Sequence, residues 1–234
     1  MKTTRILPPL LNELVLKLSS FLQTFCKQRD SSHDITHCER VCNTSLLIYE
    51  GEFSPLTDKH YISNKDFIDL IVICSWTHDV LDHKYKDAKE LALSLHKFLL
   101  TLIPDKSAQL VLSINERVSF SLENKIKKTG GKLDWEAVLG PQGCLIRDIV
   151  SDSDKLDALG KQGLDRCVAF SKYAFEDKFG SPISLPELKT QVSDHSKEKL
   201  LRLKDEFIRT KTGKALATSL HLDFLSALDT FLKT

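Results

Sequence analysis

Several things are scarce in this 234-residue chain, and each scarcity removes a class of protein. Glycine and proline number nine and seven, against 41% hydrophobic residues, so the bias that keeps a disordered chain from forming a core is missing. No stretch reaches the roughly 18 uninterrupted apolar residues that a membrane span needs. Excess charge of one sign is missing as well. Thirty-three basic and 32 acidic side chains leave a formal net charge of +1, which gives no global attraction to nucleic acid or an acidic membrane. Any anionic ligand must be met by a local cluster. The six cysteines, Cys26, Cys38, Cys42, Cys74, Cys144 and Cys167, contain no CxxC pair, and several fall inside apolar helical patterns, so they read as reduced thiols.

Alternating strand-like runs are also nearly absent, and what fills the chain is helical period. "ELVLKLSSFLQTF", "ITHCERVCNTSLLIYE", "AKELALSLHKFLLTLI", "AQLVLSINERVSF", "KEKLLRLKDEFI" and "GKALATSLHLDFLSALDTFL" all repeat apolar residues three and four apart. The N-terminal stretch resembles a signal peptide only in its greasiness. Glu13 and Lys17 interrupt it and no small-residue cleavage site follows, so it reads as an amphipathic helix starting at Pro8-Pro9, and the cytoplasm, or cytoplasm and nucleus, is the expected location. The ambiguous piece is "LIVIC". Ser63 and Asn64 are suitable N-caps, Asp66 suits a first turn, and the apolar run from Phe67 to Trp76 is longer than most strands. It therefore reads as a central buried helix with a His-Asp pair at its C-terminal end. Loops are expected near residues 28–33, 51–65, 121–142 and 178–194, and there is no internal repeat.

Titratable residues crowd unusual places. "WTHDVLDHKY" places His78, Asp79, Asp82, Lys84 and Tyr85 directly behind the apolar run, where polar groups are costly to bury without partners. His37, in "SSHDITHCERV", sits one turn before Val41 and points where the apolar face points. Alone it is a hydrogen-bonded core histidine. Asp152, Asp154 and Asp157, in "IVSDSDKLDALG", read alone as a solvated face or a helix cap. The conjunction points elsewhere, because one divalent cation satisfies two histidines and two aspartates at once.

The ordered set "HDITHCERV", "THDVLDHKY" and "DSDKLDALG", with "INERVSFS" and "HSKEKLLRLKDEF" after it, resembles the HD superfamily of metal-dependent phosphohydrolases, and within it the compact bacterial nucleotide pyrophosphohydrolases. The likeness covers about residues 30 to 230. It implies an all-α, single-domain HD bundle over residues 1–234, with a metal-site core at about 30–175 and a C-terminal helical part at about 185–234. It also implies metal ligands His37, His78, Asp79 and Asp154, with Asp152 as the fallback, and Asp82 where related alarmone hydrolases carry a catalytic acid. Ser153 and "KQGLDR" depart from the pattern, the second at the expected substrate wall.

An imidazole and carboxylate set suits Mn²⁺ or Mg²⁺ first, then Fe²⁺ or Zn²⁺. Lys84 and Arg40, and further off Arg117 and Lys155, are candidate phosphate cations; for the last two a surface salt bridge is the plain alternative. Tyr85 either packs on a base or plugs the core. The expected function is metal-dependent hydrolysis of a nucleotide or related small phosphate substrate, with nucleoside triphosphate pyrophosphohydrolysis as its finer form. The alternatives are a catalytically silent HD module that binds a ligand or partner, and an HD-type cyclic-nucleotide phosphodiesterase, for which the extra ligand histidines are missing.

Overall fold

The computed structural model describes residues 9–26, 35–53, 65–81 and 88–234, and among them there is no strand. The helices are α1 (Pro9–Cys26), α2 (Ile35–Glu52), α3 (Lys65–Thr77), α4 (Ala88–Leu99), α5 (Asp105–Asn115), α6 (Phe120–Lys128), α7 (Glu136–Asp157), α8 (Gly160–Phe179), α9 (Leu185–Glu198), α10 (Leu203–Glu206) and α11 (Lys211–Lys233). A 3-10 turn at Leu200–Arg202 leads into α10. The architecture is the expected all-α one.

A helix apolar on every side must lie in the interior. That is the situation of α3, where every residue from Ile71 to Thr77 is buried. It packs against α1, α2, α5 and α7. Small residues let α2 come close, and the Ser75 hydroxyl donates to the Ser45 hydroxyl across the contact at 2.9 Å. On α2 the buried residues His37, Cys38, Val41, Cys42, Ser45, Leu46 and Ile48 form one face at helical spacing. A titratable imidazole therefore sits on the apolar stripe facing α3 and α7. Cys38, Cys42, Cys74, Cys144 and Cys167 are free thiols, and burial pushes the Cys42 thiol up to about 12.

Two of the expected loops contain helices. Residues 121–142 hold most of α6 and the start of α7, and residues 178–194 hold the first part of α9. Their polarity hid them, but their ends carry clear signals. Ser119 caps α6 by accepting from the Ser121 N–H, and Lys125, Lys127 and Lys128 suit the negative end of that helix. Helix α9 opens on a Ser184/Glu187 capping box with Pro186 in its first turn, and buries only Leu188, Val192 and Ser196. The Ser31-Ser32/Asp34 and Ser63-Asn64 caps lie outside the described residues.

Helix α7 breaks at Gly140, whose φ of 67° and ψ of 171° precede Pro141. Proline bars the helical conformation in the residue before it, and glycine takes the positive φ cheaply. Beyond the break, α7 carries charge into the core. Arg147 and Lys155 are buried, both turned onto the Glu123 carboxylate of α6, which is 0% exposed. Lys155 Nζ donates to Glu123 Oε1 at 3.0 Å, an Arg209 Nη to Glu123 Oε2 at 3.3 Å, and an Arg147 Nη packs closest of all. Lys155 is therefore no surface cation. Arg117 instead donates to the Ser113 carbonyl at 2.8 Å and to Glu116 at 3.2 Å. Among the described residues, no helix is long and apolar enough to cross a membrane.

Burial by itself would raise the Glu123 carboxyl, but Lys155 and Arg147 outweigh it and hold it down. Removing the carboxylate takes the anion from buried Lys155 and leaves Arg147 and Arg209 to share Asp148. Glu123→Ala should lower the unfolding free energy by about 3–5 kcal/mol, read from urea denaturation. A loss below about 1 kcal/mol would mean that water reaches the cations when the carboxylate is gone.

Candidate metal centre and the cavity beside it

Three elements deliver the central groups. His37 comes from the buried face of α2, His78 and Asp79 from the turn that ends α3, and Asp154 from the last turns of α7. His37 Nε2 and His78 Nε2 lie 3.3 Å apart. Asp79 Oδ2 is 3.5 Å from the first and 3.3 Å from the second. Asp154 Oδ1 is 3.5 Å and 3.7 Å from the same two nitrogens. Among the described residues, His37, His78 and Asp79 form a group that could hold a metal ion, each offering one donor atom within 4.8 Å of the others.

The remaining ring nitrogens fix what those Nε2 atoms present. His78 Nδ1 lies 2.8 Å from the Ser75 carbonyl, which can only accept, so Nδ1 carries the hydrogen. His37 Nδ1 donates to Asp157 Oδ2 at 2.8 Å. Asp157 is itself clamped, by Arg40 Nε at 2.7 Å, by an Arg40 Nη at 3.1 Å and by an Arg166 Nη closer still. Burial would raise the Asp157 carboxyl; His37, Arg40 and Arg166 outweigh it and hold it at about 2. Both imidazoles thus aim Nε2 at one point, each oriented by a bond on its far side.

That point demands positive charge. Burial alone would lower the pKa of both histidines, yet Asp154, Asp157 and Asp79 raise His37 to about 9, and Asp79 and Asp154 raise His78 well above its ordinary value. Burial would likewise raise Asp79 and Asp154, but the imidazoles hold both well below the carboxylate range. A divalent cation meets the same demand. Neighbouring donors around a cation with bonds of about 2.0–2.4 Å sit roughly 2.8–3.9 Å apart, and the separations here fall in that interval. The donor set fits a divalent metal.

Asp152 is elsewhere. Two positions along a helix is more than half a turn, so it points away from Asp154. Its carboxylate accepts from the Arg209 N–H at 3.0 Å, and from the Thr210 N–H and hydroxyl at 2.7 Å each, at the start of α11. Burial raises it to about 6 against those bonds. Gly213 is required there, since a Cβ would lie 2.8 Å from Asp152 Oδ2 and 2.5 Å from the Thr210 hydroxyl.

A cavity of about 360 Å³ opens beside the cluster, reaching His78, Asp79 and Asp154. Asn115, Glu116 and Phe120 line it from the α5–α6 side, and Arg166, Phe170, His195 and Lys199 from the α8–α9 side. Among the described residues its ionisable lining includes the carboxylates Asp79, Glu116 and Asp154, the cations Lys155, Arg166 and Lys199, and the histidines His78 and His195. Asp82, Lys84 and Tyr85 lie outside the described residues. Arg40, expected on a phosphate, is forked onto Asp157. From sequence, Asp157 reads only as part of a solvated acidic face or helix cap, and nothing marks Asn115 or Arg166 as site residues. For Asp157 a signal was present, three residues after Asp154 and so on the same side of α7.

No protein-family model matches the chain. Among curated proteins it is similar to the uncharacterized protein YpgQ of Bacillus subtilis (strain 168), with 26% identity over 220 residues that span 91% of each chain. Among solved structures it is similar to Bacillus subtilis YpgQ in complex with ADP, at 23% identity and a TM-score of 0.64 over 94% of this chain and 96% of that one. It is similar also to an HD-superfamily hydrolase of Bacillus thuringiensis, at 22% identity and a TM-score of 0.58 over 95% and 96% of the two chains. The fold is that of the HD domain.

The raised histidines make the metal-stripped protein sensitive to base. A group whose folded pKa exceeds its unfolded value contributes stability that is complete below the unfolded pKa and disappears as pH rises through the folded one. For His37 the window runs from 6.5 to about 9, above the range in which Asp152 titrates at about 6. With chelator present, Tm should fall from pH 6.5 to pH 9, and His37→Ala should flatten that slope. An equal slope in the variant would show that His37 stays neutral.

Proposed function

We propose that this chain is a divalent-metal-dependent phosphohydrolase acting on a nucleotide or related phosphate ester, with pyrophosphate release from a nucleoside triphosphate as its specific form. The observation that carries the reading is the cluster of His37, His78 and Asp79, with Asp154 Oδ1 within 3.7 Å of both imidazoles, beside a cavity of about 360 Å³. In this reading those four residues hold the cation, with Mn²⁺ or Mg²⁺ favoured by the mixed donors. When bound, the cation supplies a nucleophilic water at neutral pH and a Lewis acid for a phosphate oxygen.

The chain's own groups do the rest. Asp157 and the Ser75 carbonyl hold the two imidazoles in register with Nε2 inward. Arg40 and Arg166 keep Asp157 ionised, so Arg40 acts through Asp157 first. Asp82 takes or orients the proton of the attacking water, a role that rests on the resemblance to related alarmone hydrolases; Lys84, two residues on with a flexible ammonium, is the candidate for the departing charge, and Tyr85 either packs on the base or plugs the core. A divalent cation at the cluster adds positive charge to a cavity that Arg166 and Lys199 also line, which suits a polyanion. The complex of YpgQ with ADP supports a nucleotide as that polyanion.

Metal analysis of the purified protein, joined to a screen of nucleoside mono-, di- and triphosphates that reads both phosphate and pyrophosphate, tests the whole reading. His78→Ala and Asp154→Ala should each lose the metal and all turnover. Asp152→Ala should keep the metal and lose stability through the start of α11; metal loss in that variant with retention in Asp154→Ala would reverse the ligand assignment. Asp82→Asn should retain metal with turnover reduced about 10²–10⁴-fold, the usual span for a general base. A protein that binds metal and turns over nothing in the screen is the silent module instead.

A further inference from the structure

Two phenylalanines line the cavity, and their rings are placed differently. Phe120, at the start of α6, is packed against the core, and its ring is occupied by the Phe207 ring at 4.6 Å and by Lys199 Nζ at 5.2 Å from its centroid. Phe170, on α8, is 43% exposed. Among the described residues no other ring stacks against it. A single exposed apolar side chain is ordinary on a protein surface. Of the large apolar side chains that are exposed among the described residues, however, Phe170 is the one that also lines the cavity. Its ring stands at the open edge of the cavity, where an aromatic face is offered to whatever enters.

The place of Phe170 along α8 says which part of a ligand meets it. Gly163, Arg166, Cys167, Phe170, Ser171 and Ala174 line the cavity at intervals of three and four, so one face of the helix forms that wall. Helix α8 starts three residues after Asp157, and Arg166 still reaches back to Asp157, which holds His37. Phe170 comes one turn later on the same face, about 6 Å further along the axis. That step from the metal end is comparable to the reach of one sugar, and a sugar is what separates the base of a nucleotide from its α-phosphate. From α9, Gln191 and His195, four apart, add polar side chains to the same cavity. A group with a flat π face for Phe170 and a polar edge for Gln191 and His195 has the chemistry of a nucleobase. Resting on the phosphohydrolase reading, we propose that the base of a nucleotide stacks on the Phe170 ring at the mouth of the cavity, with the phosphates at the metal end.

Stacking on an aromatic ring favours ligands that carry a base and is indifferent to their phosphates. Titration calorimetry of the metal-loaded protein with ADP and with ribose 5-diphosphate, which carries a hydroxyl in place of the base, reads the contact as a ratio of two affinities. The wild type should bind ADP about tenfold more tightly than ribose 5-diphosphate. Phe170→Ala and Phe170→Leu should bring the two ligands within about twofold of each other, while Phe170→Trp should keep the gap or widen it. Metal content and the affinity for ribose 5-diphosphate should hold in all three variants, since Phe170 lies outside the metal cluster. Comparing two ligands within one variant cancels any general loss of stability, and should Phe170→Ala fail to fold, the wild type and Phe170→Leu decide. Equal affinities in the wild type overturn this inference alone and leave the phosphohydrolase reading standing. An undiminished ratio in Phe170→Ala overturns it too, giving the base to another wall and the exposed ring to a protein partner. A full ratio in Phe170→Leu shows that any apolar surface serves, which removes the role of the ring. A wild-type protein that binds neither ligand sinks the nucleotide reading along with this inference.

Discussion

Two imidazole lone pairs cannot face each other at 3.3 Å without positive charge at the place they share. The rest of the site is arranged around that constraint. Because His78 Nδ1 is tied to the Ser75 carbonyl and His37 Nδ1 to Asp157, neither ring can turn its bare nitrogen away. The charge arrives as protons or as a cation, and Asp79 and Asp154 balance either one. Holding the donors at such separations requires three helices to meet closely. That is why α3 runs through the core, why Ser45 and Ser75 occupy the α2–α3 contact, and why His37 stands on an apolar stripe.

Helix α7 organises most of the polar interior, and its geometry explains how one helix serves several networks. Residues turn by about 100° each along an α-helix. Arg147, Ser151 and Lys155, four apart, share the face that meets Glu123. Asp154 and Asp157, three apart, share the face that meets α2. Asp152 points to the start of α11, where it answers backbone N–H groups and the positive end of that helix. A buried charge is tolerated when fully partnered, and each of these charges has partners from another element. Rotation of α7 by even one residue would exchange the three duties, so the networks specify its register as well as its position.

The all-helical architecture was legible because the apolar spacing repeats in long stretches, and α3 could be told from a strand by its length and its polar start. Helices α6 and α9 were less so. They bury few side chains, which left charge and glycine as the dominant local signals, although "SLPE" at 184–187 spells out a capping box. Within the site, the histidines and Asp79 stood out because titratable groups followed an apolar run. Choosing between Asp152 and Asp154 needed the azimuth of α7 relative to α2 and α11, which local sequence does not contain. Lys155 shows the same limit more sharply, since a lysine is buried here only because Glu123, 32 residues away, meets it. The amide of Asn115 carries no sequence signature at all, and its orientation follows from a threonine hydroxyl 38 residues away.

A net charge of +1 over 234 residues does not say where the charges gather, and around the cavity they gather into networks. Asp79 and Asp154 belong to the cluster, so in the metal-bound reading they would neutralise a divalent cation there. The guanidinium groups of Arg40 and Arg166 both meet Asp157, and the groups of Arg147, Lys155 and Arg209 meet Glu123 and Asp148. Each network touches the cavity, through Arg166 in one case and Lys155 in the other. In the phosphohydrolase reading, attraction for a polyanion comes from charge fixed in these walls rather than from the surface as a whole. Fixed charge in a partly buried wall is screened less by salt than surface charge is, and it needs no reorganisation when a phosphate enters.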